Sequence, residues 1–336
     1  MRAVTRRYED PLDRIWIETA ARIGLSVTRT PDAFATTDGR GALALGDAAS
    51  LDADDCLAQM IFHELCHSLV QGVESFEQPD WGLENTDPRD LSREHACLRA
   101  QATLAARVGL RRVLAPTTDH RAFFDALGPD PLFDAGAPRE DPSVALARIA
   151  LARAERPPWA PHLRAALEAS AAVVRAAAAF APEGSLLADV DRARALHPAG
   201  GWVHPSADVR CGACAWRDAA DCVVAAAPVE EAWPGCEAFT GALDCRACGA
   251  CCREGFDVVE LAPDEPFLAR HGALVDRVDG RLVLRRPGGR CPPLRGDGHA
   301  EPYACAAYAE RPRACRELAP GSEGCLAARR RIGLSL

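Results

Sequence analysis

The distribution of cysteine divides this 336-residue chain into parts that must fold in different ways. Three of the fifteen cysteines precede residue 100, none lies between residues 98 and 210, and twelve follow residue 210. The twelve include Cys211-x2-Cys214 and the run Cys245-x2-Cys248-x2-Cys251-Cys252. Thiols at these spacings can reach one ion or cluster, so we expect the C-terminal part to be a small, loop-rich domain that metals hold together.

Composition and charge indicate the compartment and exclude some partners. The N-terminal residues lack the apolar segment of a signal peptide, and no run of about 18 apolar residues occurs, so we expect a cytoplasmic protein without membrane contact. In that reducing compartment, clustered cysteines favour metal binding over disulfides. The net charge is −9, although residues 281–336 carry 11 Arg against 5 acidic residues. No aromatic-basic pattern accompanies this basic tail, so we do not expect nucleic-acid binding.

All twelve C-terminal cysteines are predicted metal ligands. Adjacent Cys251 and Cys252 point in different directions and more naturally serve two metals than one. Eight cysteines could then form two four-thiolate sites that hold zinc or an iron–sulfur cluster, and the spacing does not choose between these. The eight are Cys245, Cys248, Cys251, Cys252, Cys291, Cys305, Cys315 and Cys325.

A separate group precedes these eight. Its members could close one tetrahedral site, as in an irregular zinc ribbon, or hold a further cluster. They are Cys211, Cys214, Cys222 and Cys236, with His204 as an alternative ligand. We also expect Arg311, Arg313 and Arg316 to donate hydrogen bonds to sulfurs in the C-terminal part.

The C-terminal pattern resembles a known family. The segment CRACGACC is followed by Cys291-Pro292-Pro293-Leu294 and then by Tyr308-x2-Arg311-Pro312-x2-Cys315-Arg316. This arrangement is similar to the YkgJ-type CxxCxxCC cysteine-cluster family over about residues 243–330. The resemblance implies a zinc- or iron-chelating domain and assigns no reaction. Related clusters occur in flagellin lysine methylases, where an iron–sulfur cluster is implied.

The N-terminal part carries a second metal-binding motif, His63-Glu64-Leu65-Cys66-His67. On a helix, His63 and His67 are one turn apart on the same face, so both imidazoles can reach one zinc ion. Glu64 lies beside them and could take a proton from a water molecule that the metal activates. We expect Cys66, like Cys56 and Cys97, to be a small buried apolar residue.

A catalytic zinc needs a third protein ligand and one open position. The next helix offers Glu94, with His95 as its competitor. An H-E-x-x-H helix followed by a helix with a glutamate resembles the gluzincin type of zinc metallopeptidase over roughly residues 40–108. The resemblance implies His63, His67 and Glu94 as zinc ligands and Glu64 as the general base. His120 is either a surface residue or an oxyanion stabiliser, and no electrophilic residue can be assigned.

Hydrophobic periodicity and capping residues predict the elements around the motif. We expect helices over 11–24, from Ser50 or Asp52 to 70, and over 89–108 with Asp87-Pro88 at its start. A strand is expected at 25–28, a hairpin at Asp38-Gly39 between 33–37 and 41–45, and Ala-rich helices at 143–155 and 161–180.

Together these elements predict an α+β fold in three parts. Residues 1–127 form a zincin-like domain, residues 128–200 a linker and helical hairpin, and residues 201–336 the cysteine-rich domain. The function expected first is a zinc-dependent, peptidase-like hydrolase with a protein or peptide substrate. The alternatives are a metal-binding or redox protein whose H-E-x-x-H site is auxiliary, and an interaction protein whose metals are all structural.

Overall fold

The computed structural model describes residues 5, 8–84, 90–117, 119–133, 141–298 and 300–336. These residues divide into two compact units, an N-terminal unit before residue 196 and a C-terminal unit from Leu196 onwards. Helices and small sheets occur together, which confirms the α+β class. Among the described residues, no helix has the length and apolar character that crossing a membrane requires.

The N-terminal unit is mainly helical and has one small sheet. Its helices are α1 (Pro11–Ile23), α2 (Leu57–Gln71), α3 (Leu91–Arg107), α4 (Arg121–Ala126), α5 (Pro142–Ala154) and α6 (His162–Ala178). Its strands are β1 (Ser26–Thr30), β2 (Ala35–Thr37) and β3 (Ala42–Gly46), in the order β1-β3-β2. β1 is parallel to β3, and β2 is antiparallel to β3 across the predicted turn at Asp38-Gly39.

Helix α2 lies at the centre of this unit, and every residue from Leu57 to Val70 is buried. Trp16 of α1 packs against Phe62 with ring centroids 4.9 Å apart, and its indole donates to Ser170 of α6 at 3.0 Å. Trp159, between α5 and α6, donates to Ser68 of α2 at 2.8 Å. A helix that is enclosed in this way can keep polar side chains only when they have partners. The histidines and glutamate of the motif must therefore meet ligands or donors inside the fold.

The start of one helix differs from the prediction. Helix α2 begins after Cys56, whose sulfur accepts from the Gln59 amide, rather than after Ser50 or Asp52. Asp52 instead forms a local turn in which its amide donates to the Asp55 carboxylate at 2.8 Å, and such local bonds compete with helix formation. Cys56 is thus a half-buried helix cap and not a buried apolar residue. Helix α3 begins after Asp90, and the predicted start at Asp87-Pro88 lies outside the described residues.

The C-terminal unit consists of short elements joined by loops. Its helices are α7 (Cys245–Cys248), α8 (Pro266–His271), α9 (Arg313–Glu317) and α10 (Glu323–Arg331). Its strands are β4 (Arg217–Asp218), β5 (Asp221–Cys222), β6 (Ala227–Pro228), β7 (Glu260–Leu261), β8 (Val275–Val278), β9 (Arg281–Leu284), β10 (Leu294–Arg295) and β11 (Ala304–Cys305). They pair as the antiparallel sheets β4-β5-β6, β7-β9-β8 and β10-β11.

Two small hydrophobic clusters form much of the interior of this unit. One surrounds Phe267 and Leu284 and includes Cys291, with three further cysteines packed against it. The other consists of Trp216, Cys325 and Leu326. Cysteine therefore occupies interior positions that aliphatic side chains fill in a larger domain.

Candidate metal centres

The fold brings the three predicted ligands of the N-terminal motif to one point. Nε2 of His63 and Nε2 of His67 lie 3.1 Å apart. Glu94 on α3 places Oε2 3.3 Å from His67 Nε2 and Oε1 3.8 Å from His63 Nε2. Ligands about 2.0–2.1 Å from a tetrahedral zinc ion are separated by roughly 3.3–3.4 Å along each edge of the tetrahedron. Each imidazole nitrogen therefore has one oxygen of Glu94 within 4 Å, close to the edge length of such a tetrahedron.

Gln101 determines which nitrogen of His63 is available. The side-chain amide of Gln101 donates to the Leu114 carbonyl at 2.9 Å, so its oxygen faces Nδ1 of His63, also at 2.9 Å. Nδ1 must then carry the proton, which leaves a lone pair on Nε2. Sequence reasoning missed Gln101, because its contact with His63 joins two helices 38 positions apart in the chain.

The Nε2 atoms of His63 and His67 are so close that two lone pairs facing each other would repel, so a proton or a cation must lie between them. Without a metal, Nε2–H of His67 can donate to the His63 lone pair, and a metal ion can replace that proton. Nδ1 of His67 and Oε1 of Glu94 are buried and have no hydrogen-bond partner among the described residues. Such orphaned polar atoms are costly, and a cation beside Glu94 would offset part of that cost.

The protonation states of His67 and Glu94 suit metal ligands. Burial lowers the pKa of His67, and the nearby Glu94 carboxylate offsets this only in part. Burial alone would raise the pKa of Glu94, but the positive charges that His67, His63 and two further imidazoles carry when protonated outweigh it and hold that pKa below its usual value. A neutral imidazole and an ionised carboxylate are the forms that bind metal.

His95 and Cys97 also lie near the histidines, and His63, His67 and Cys97 offer ligand atoms that all lie within 4.8 Å of one another. His95 stacks on Phe123 with ring centroids 3.7 Å apart. This contact holds the His95 ring against Phe123, whereas the Glu94 side chain lies beside the two histidines of the motif.

Cys97 has its sulfur 3.7 Å from Nδ1 of His63, at the nitrogen that Gln101 occupies. Burial raises the pKa of the Cys97 thiol well above its usual value, and contact with Cys66 adds to this rise. Cys66 and Cys97 are both fully buried, as expected.

Glu64 is held by Trp81, a residue that the sequence analysis did not single out. The indole Nε1 of Trp81 donates to Oε2 of Glu64 at 2.8 Å, and both residues are buried. Trp81 has φ 58° and ψ 17°, a left-handed conformation that bulky residues rarely adopt. Asp80 fixes this turn to β2 by accepting from the Thr36 hydroxyl and the Thr37 amide at 2.7 and 3.0 Å.

The motif faces an open cleft of about 680 Å³. Glu64 lies on its wall with the three donor residues, and Ala35 of β2 lines another side. His120 also lines the cleft, at the start of α4, rather than lying on an outer surface. Four further carboxylates belong to the described lining, namely those of Asp52, Asp80, Asp90 and Asp119.

Burial raises the pKa values of several C-terminal cysteines, and the neighbouring thiols that add to the rise let us describe the twelve cysteines in three groups of four. Among the described residues, no three of these sulfurs lie within 4.8 Å of one another.

The first group comprises Cys245, Cys248, Cys251 and Cys325. Helix α7 and the turn after it present the first three, and α10 packs on that turn and supplies Cys325. Burial raises the pKa of Cys251 to about 12, and the Cys325 thiol is the largest of the neighbouring charges that add to it. Gly249 allows the turn, since it has φ +59° and a Cβ there would lie 2.6 Å from the Tyr303 ring.

The second group comprises Cys252, Cys291, Cys305 and Cys315, all of which contact the Phe267 cluster. The Cys291 amide donates to the Cys252 carbonyl at 2.8 Å. Burial raises the pKa of Cys291 to about 12, and the thiols of Cys252, Cys305 and Cys315 contribute. Cys245 and Cys248 of the first group also add to the rise in the pKa of Cys252, so the assignment of Cys251 and Cys252 to two different metals stays a prediction.

The arginine beside the second group is Arg286 and not one of the three that we expected. Arg286 lowers the pKa of Cys291 and Cys315, which burial raises. By contrast, Arg311 donates to the Tyr308 carbonyl, and Arg316 donates to the Arg311 carbonyl. The third expected arginine, Arg313, pairs with Asp264 at 3.5 Å. No local sequence pattern marks Arg286 as a neighbour of the thiols, because only the folding of β9 and the turn after it brings its side chain there.

The third group comprises Cys211, Cys214, Cys222 and Cys236. Burial raises the pKa of Cys236 to about 11, and the other three thiols of the group contribute. His197, which sequence reasoning missed, places Nε2 3.2 Å from the Cys211 sulfur. The alternative ligand His204 instead accepts from the Ser206 amide at Nδ1 and packs against Phe239.

Comparisons with known proteins bear on the first two groups. Neither the curated proteins nor the solved structures gave a match to this chain. No comparison therefore supports the gluzincin resemblance of the N-terminal unit. Residues 244–327 match the model of the CxxCxxCC family, described as a "putative zinc- or iron-chelating domain", and this match supports metal binding by the C-terminal cysteines.

Proposed function

We propose that the N-terminal unit is a zinc-dependent hydrolase of the peptidase type. His63, His67 and Glu94 hold the zinc ion, and Glu64 acts as the general base. The observation that carries this proposal is the meeting of three donor atoms with a buried glutamate on one open cleft. Two imidazoles and one carboxylate are the ligand set of many catalytic zinc sites.

The side chains around the metal have separate tasks. A bound zinc ion would supply Lewis acidity and lower the pKa of water to about 7. Gln101 keeps the Nε2 lone pair of His63 directed at the ion. Trp81 holds Oε2 of Glu64, so the other carboxylate oxygen accepts the proton and passes it on to the leaving group.

The edge strand β2 supports a polypeptide substrate. The Phe34 carbonyl accepts from the Gly46 amide, and the Asp38 amide donates to the Ala42 carbonyl. Even-numbered residues of this segment therefore bond to β3, and the backbone groups of Ala35 point away from β3. Ala35 lines the cleft, so an extended peptide could pair with this edge and pass by Glu64.

A second candidate function comes from the C-terminal unit. If its cysteines hold iron–sulfur clusters, these clusters are the main functional centres. The protein is then a metal-binding or redox protein, and the N-terminal site is auxiliary. The match of residues 244–327 to a zinc- or iron-chelating domain favours this candidate, because the eight cysteines of that segment could hold two four-thiolate centres.

The deciding experiment combines Glu64→Gln with metal analysis of anaerobically purified protein. Glu64→Gln should retain zinc and lower the hydrolysis of an unfolded protein substrate by about 10²- to 10⁴-fold, the usual contribution of a general base. Glu77→Gln changes an exposed glutamate of the same unit and should leave the rate unchanged. Hydrolysis that survives Glu64→Gln would defeat the hydrolase proposal. Visible absorbance from an iron–sulfur cluster, without hydrolysis by the unmodified protein, would favour the second candidate.

A further inference from the structure

The cleft beside the N-terminal motif carries fixed charge of one sign. Its described lining contains six carboxylates and no arginine or lysine, although the chain has 39 basic residues. We propose that this cleft selects an extended polypeptide with arginine or lysine side chains beside a large apolar residue. As a statement about the substrate the inference rests on the proposed hydrolase, whereas binding of such a peptide does not require hydrolysis.

Two of the six carboxylates belong to the metal centre. A zinc ion has two positive charges, which Glu64 and Glu94 would balance, because imidazoles bind a metal in their neutral form. The negative charge that remains for a substrate therefore comes from four aspartates around the cleft. They are Asp52, Asp80, Asp90 and Asp119.

Two of these four aspartates are already engaged within the fold. Asp80 accepts from the Thr36 hydroxyl and from the Thr37 amide. Asp90 pairs with Arg93 at 3.1 Å, and that guanidinium offsets its charge. Asp80 and Asp90 are therefore weaker candidates for binding a cation than the other two aspartates.

Asp52 and Asp119 are the carboxylates that a substrate can pair with. Both are exposed, and neither has an ion-pair partner among the described residues. Asp52 lies in the turn before α2, and Asp119 directly precedes His120 at the start of α4. The fold, rather than a run of acidic sequence, thus places both charges on one cleft. Clefts lined by one sign of charge attract the opposite charge and repel their own, so this cleft disfavours phosphates and acidic peptides.

Two apolar side chains in the same cleft distinguish a peptide from a simple cation. Phe34 is 58% exposed and Leu91 is 43% exposed, and both line the cleft. Covering such side chains removes apolar surface from water, which is favourable. A small cation would meet the aspartates but leave Phe34 and Leu91 uncovered. A polypeptide can offer basic side chains to the aspartates and an apolar side chain to these two residues.

The first test measures binding of fluorescein-labelled peptides to the full chain carrying Glu64→Gln, which keeps the peptides intact. Three short peptides have a central leucine flanked on both sides by arginine, by glutamine or by glutamate. The arginine peptide should bind about 10-fold more tightly than the glutamine peptide at low salt, and the glutamate peptide should bind most weakly. Equal affinity for the arginine and glutamine peptides would overturn the proposal.

The apolar contact is tested with the same protein. Replacing the central leucine of the arginine peptide by serine should weaken binding about 5-fold, as expected for partial burial of a leucine side chain. Unchanged affinity for the serine peptide would overturn the apolar part of the proposed selectivity. These comparisons change only the peptide, so they do not depend on the folding of further variants.

Aspartate variants then locate the charge. Asp52→Asn and Asp119→Asn should each weaken binding of the arginine peptide about 2- to 5-fold and leave binding of the glutamine peptide unchanged. Asp54→Asn is the matched control, because Asp54 is exposed in the same turn as Asp52 and is not part of the described lining. An equal loss of affinity in Asp54→Asn would show that the net charge of the protein attracts the peptide, and it would overturn the assignment to the cleft.

Hydrolysis by the unmodified protein separates this inference from the proposed function. Tighter binding of the arginine peptide without cleavage of any peptide would support the selectivity of the cleft and defeat the hydrolase. Cleavage of the arginine and glutamine peptides with equal kcat/KM would support the hydrolase and overturn the selectivity.

Discussion

Replacing Gln101 by methionine removes the side chain that orients His63 and changes no proposed metal ligand. Gln101 is fully buried and makes two hydrogen bonds, one with Nδ1 of His63 and one to the Leu114 carbonyl, both at 2.9 Å. Methionine has a similar length and makes neither bond. The Nδ1–H group of His63 and the Leu114 carbonyl are then left without these partners.

The size of the effect follows from those two bonds. A buried polar group left unsatisfied costs about 1–3 kcal/mol, so Gln101→Met should lower the free energy of unfolding of the N-terminal unit by roughly 2–6 kcal/mol. Without the acceptor for its Nδ1 proton, the His63 ring can rotate or change tautomer. Loss of such a partner typically weakens metal binding about 10- to 100-fold.

Gln101→Glu separates the two effects. A carboxylate still accepts from Nδ1 of His63 but cannot donate to the Leu114 carbonyl, so stability should fall while zinc affinity is kept. Gln71→Met is the matched control, because Nε2 of Gln71 has no hydrogen-bond partner among the described residues. It should change neither stability nor affinity by much.

The assay is equilibrium dialysis against buffered zinc, together with thermal unfolding. Zinc bound by His67→Ala is subtracted, since this variant lacks the N-terminal site and retains the cysteine sites. The zinc affinity that remains after this subtraction should be about 10- to 100-fold weaker for Gln101→Met than for Gln101→Glu. Equal zinc affinity in Gln101→Met and the unmodified protein would refute the orienting role of Gln101.

Three further predictions follow from other contacts. Trp81→Phe removes a bond to a carboxylate worth about 1.5–3 kcal/mol, so kcat should fall about 10- to 100-fold at unchanged zinc content. Trp159→Phe, which removes a bond to Ser68 instead, should leave kcat unchanged. Asp141→Ala should cost about 1 kcal/mol at neutral pH, because the Asp141 carboxylate caps α5. Burial raises the pKa of Asp141, but hydrogen bonds from Ser143 and the charge of Arg99 outweigh burial and hold that pKa below its usual value. The loss of stability in Asp141→Ala should therefore disappear as the pH falls through this lowered pKa. A chelator should remove the melting transition of the C-terminal unit, and an unchanged transition would show that its metals are not needed for folding.

Local patterns in the sequence were enough to predict the elements that carry the ligands. The one-turn spacing of His63 and His67 depends only on helix geometry, and Glu94 follows on the next helix. The turn at Asp38-Gly39 depends on the backbone preferences of single residues.

The supporting residues could not be predicted, because long-range contacts define them. Gln101 reaches His63 across two helices, and Trp81 reaches Glu64 from a turn whose sequence is that of an ordinary loop. His197 meets Cys211 only after the surrounding strands pair. The start of α2 was mispredicted for a related reason, since Asp52 and Asp55 bond to each other in a local turn.

Diffraction data collected on both sides of the zinc absorption edge test the central claim most directly. The account predicts an anomalous difference peak about 2.0–2.2 Å from Nε2 of His63, Nε2 of His67 and the carboxylate of Glu94. Crystals grown with zinc that show no peak between these atoms would contradict the account. A peak beside Nδ1 of His63 and the Cys97 sulfur would contradict it as well, because the ligand set would then exclude Glu94.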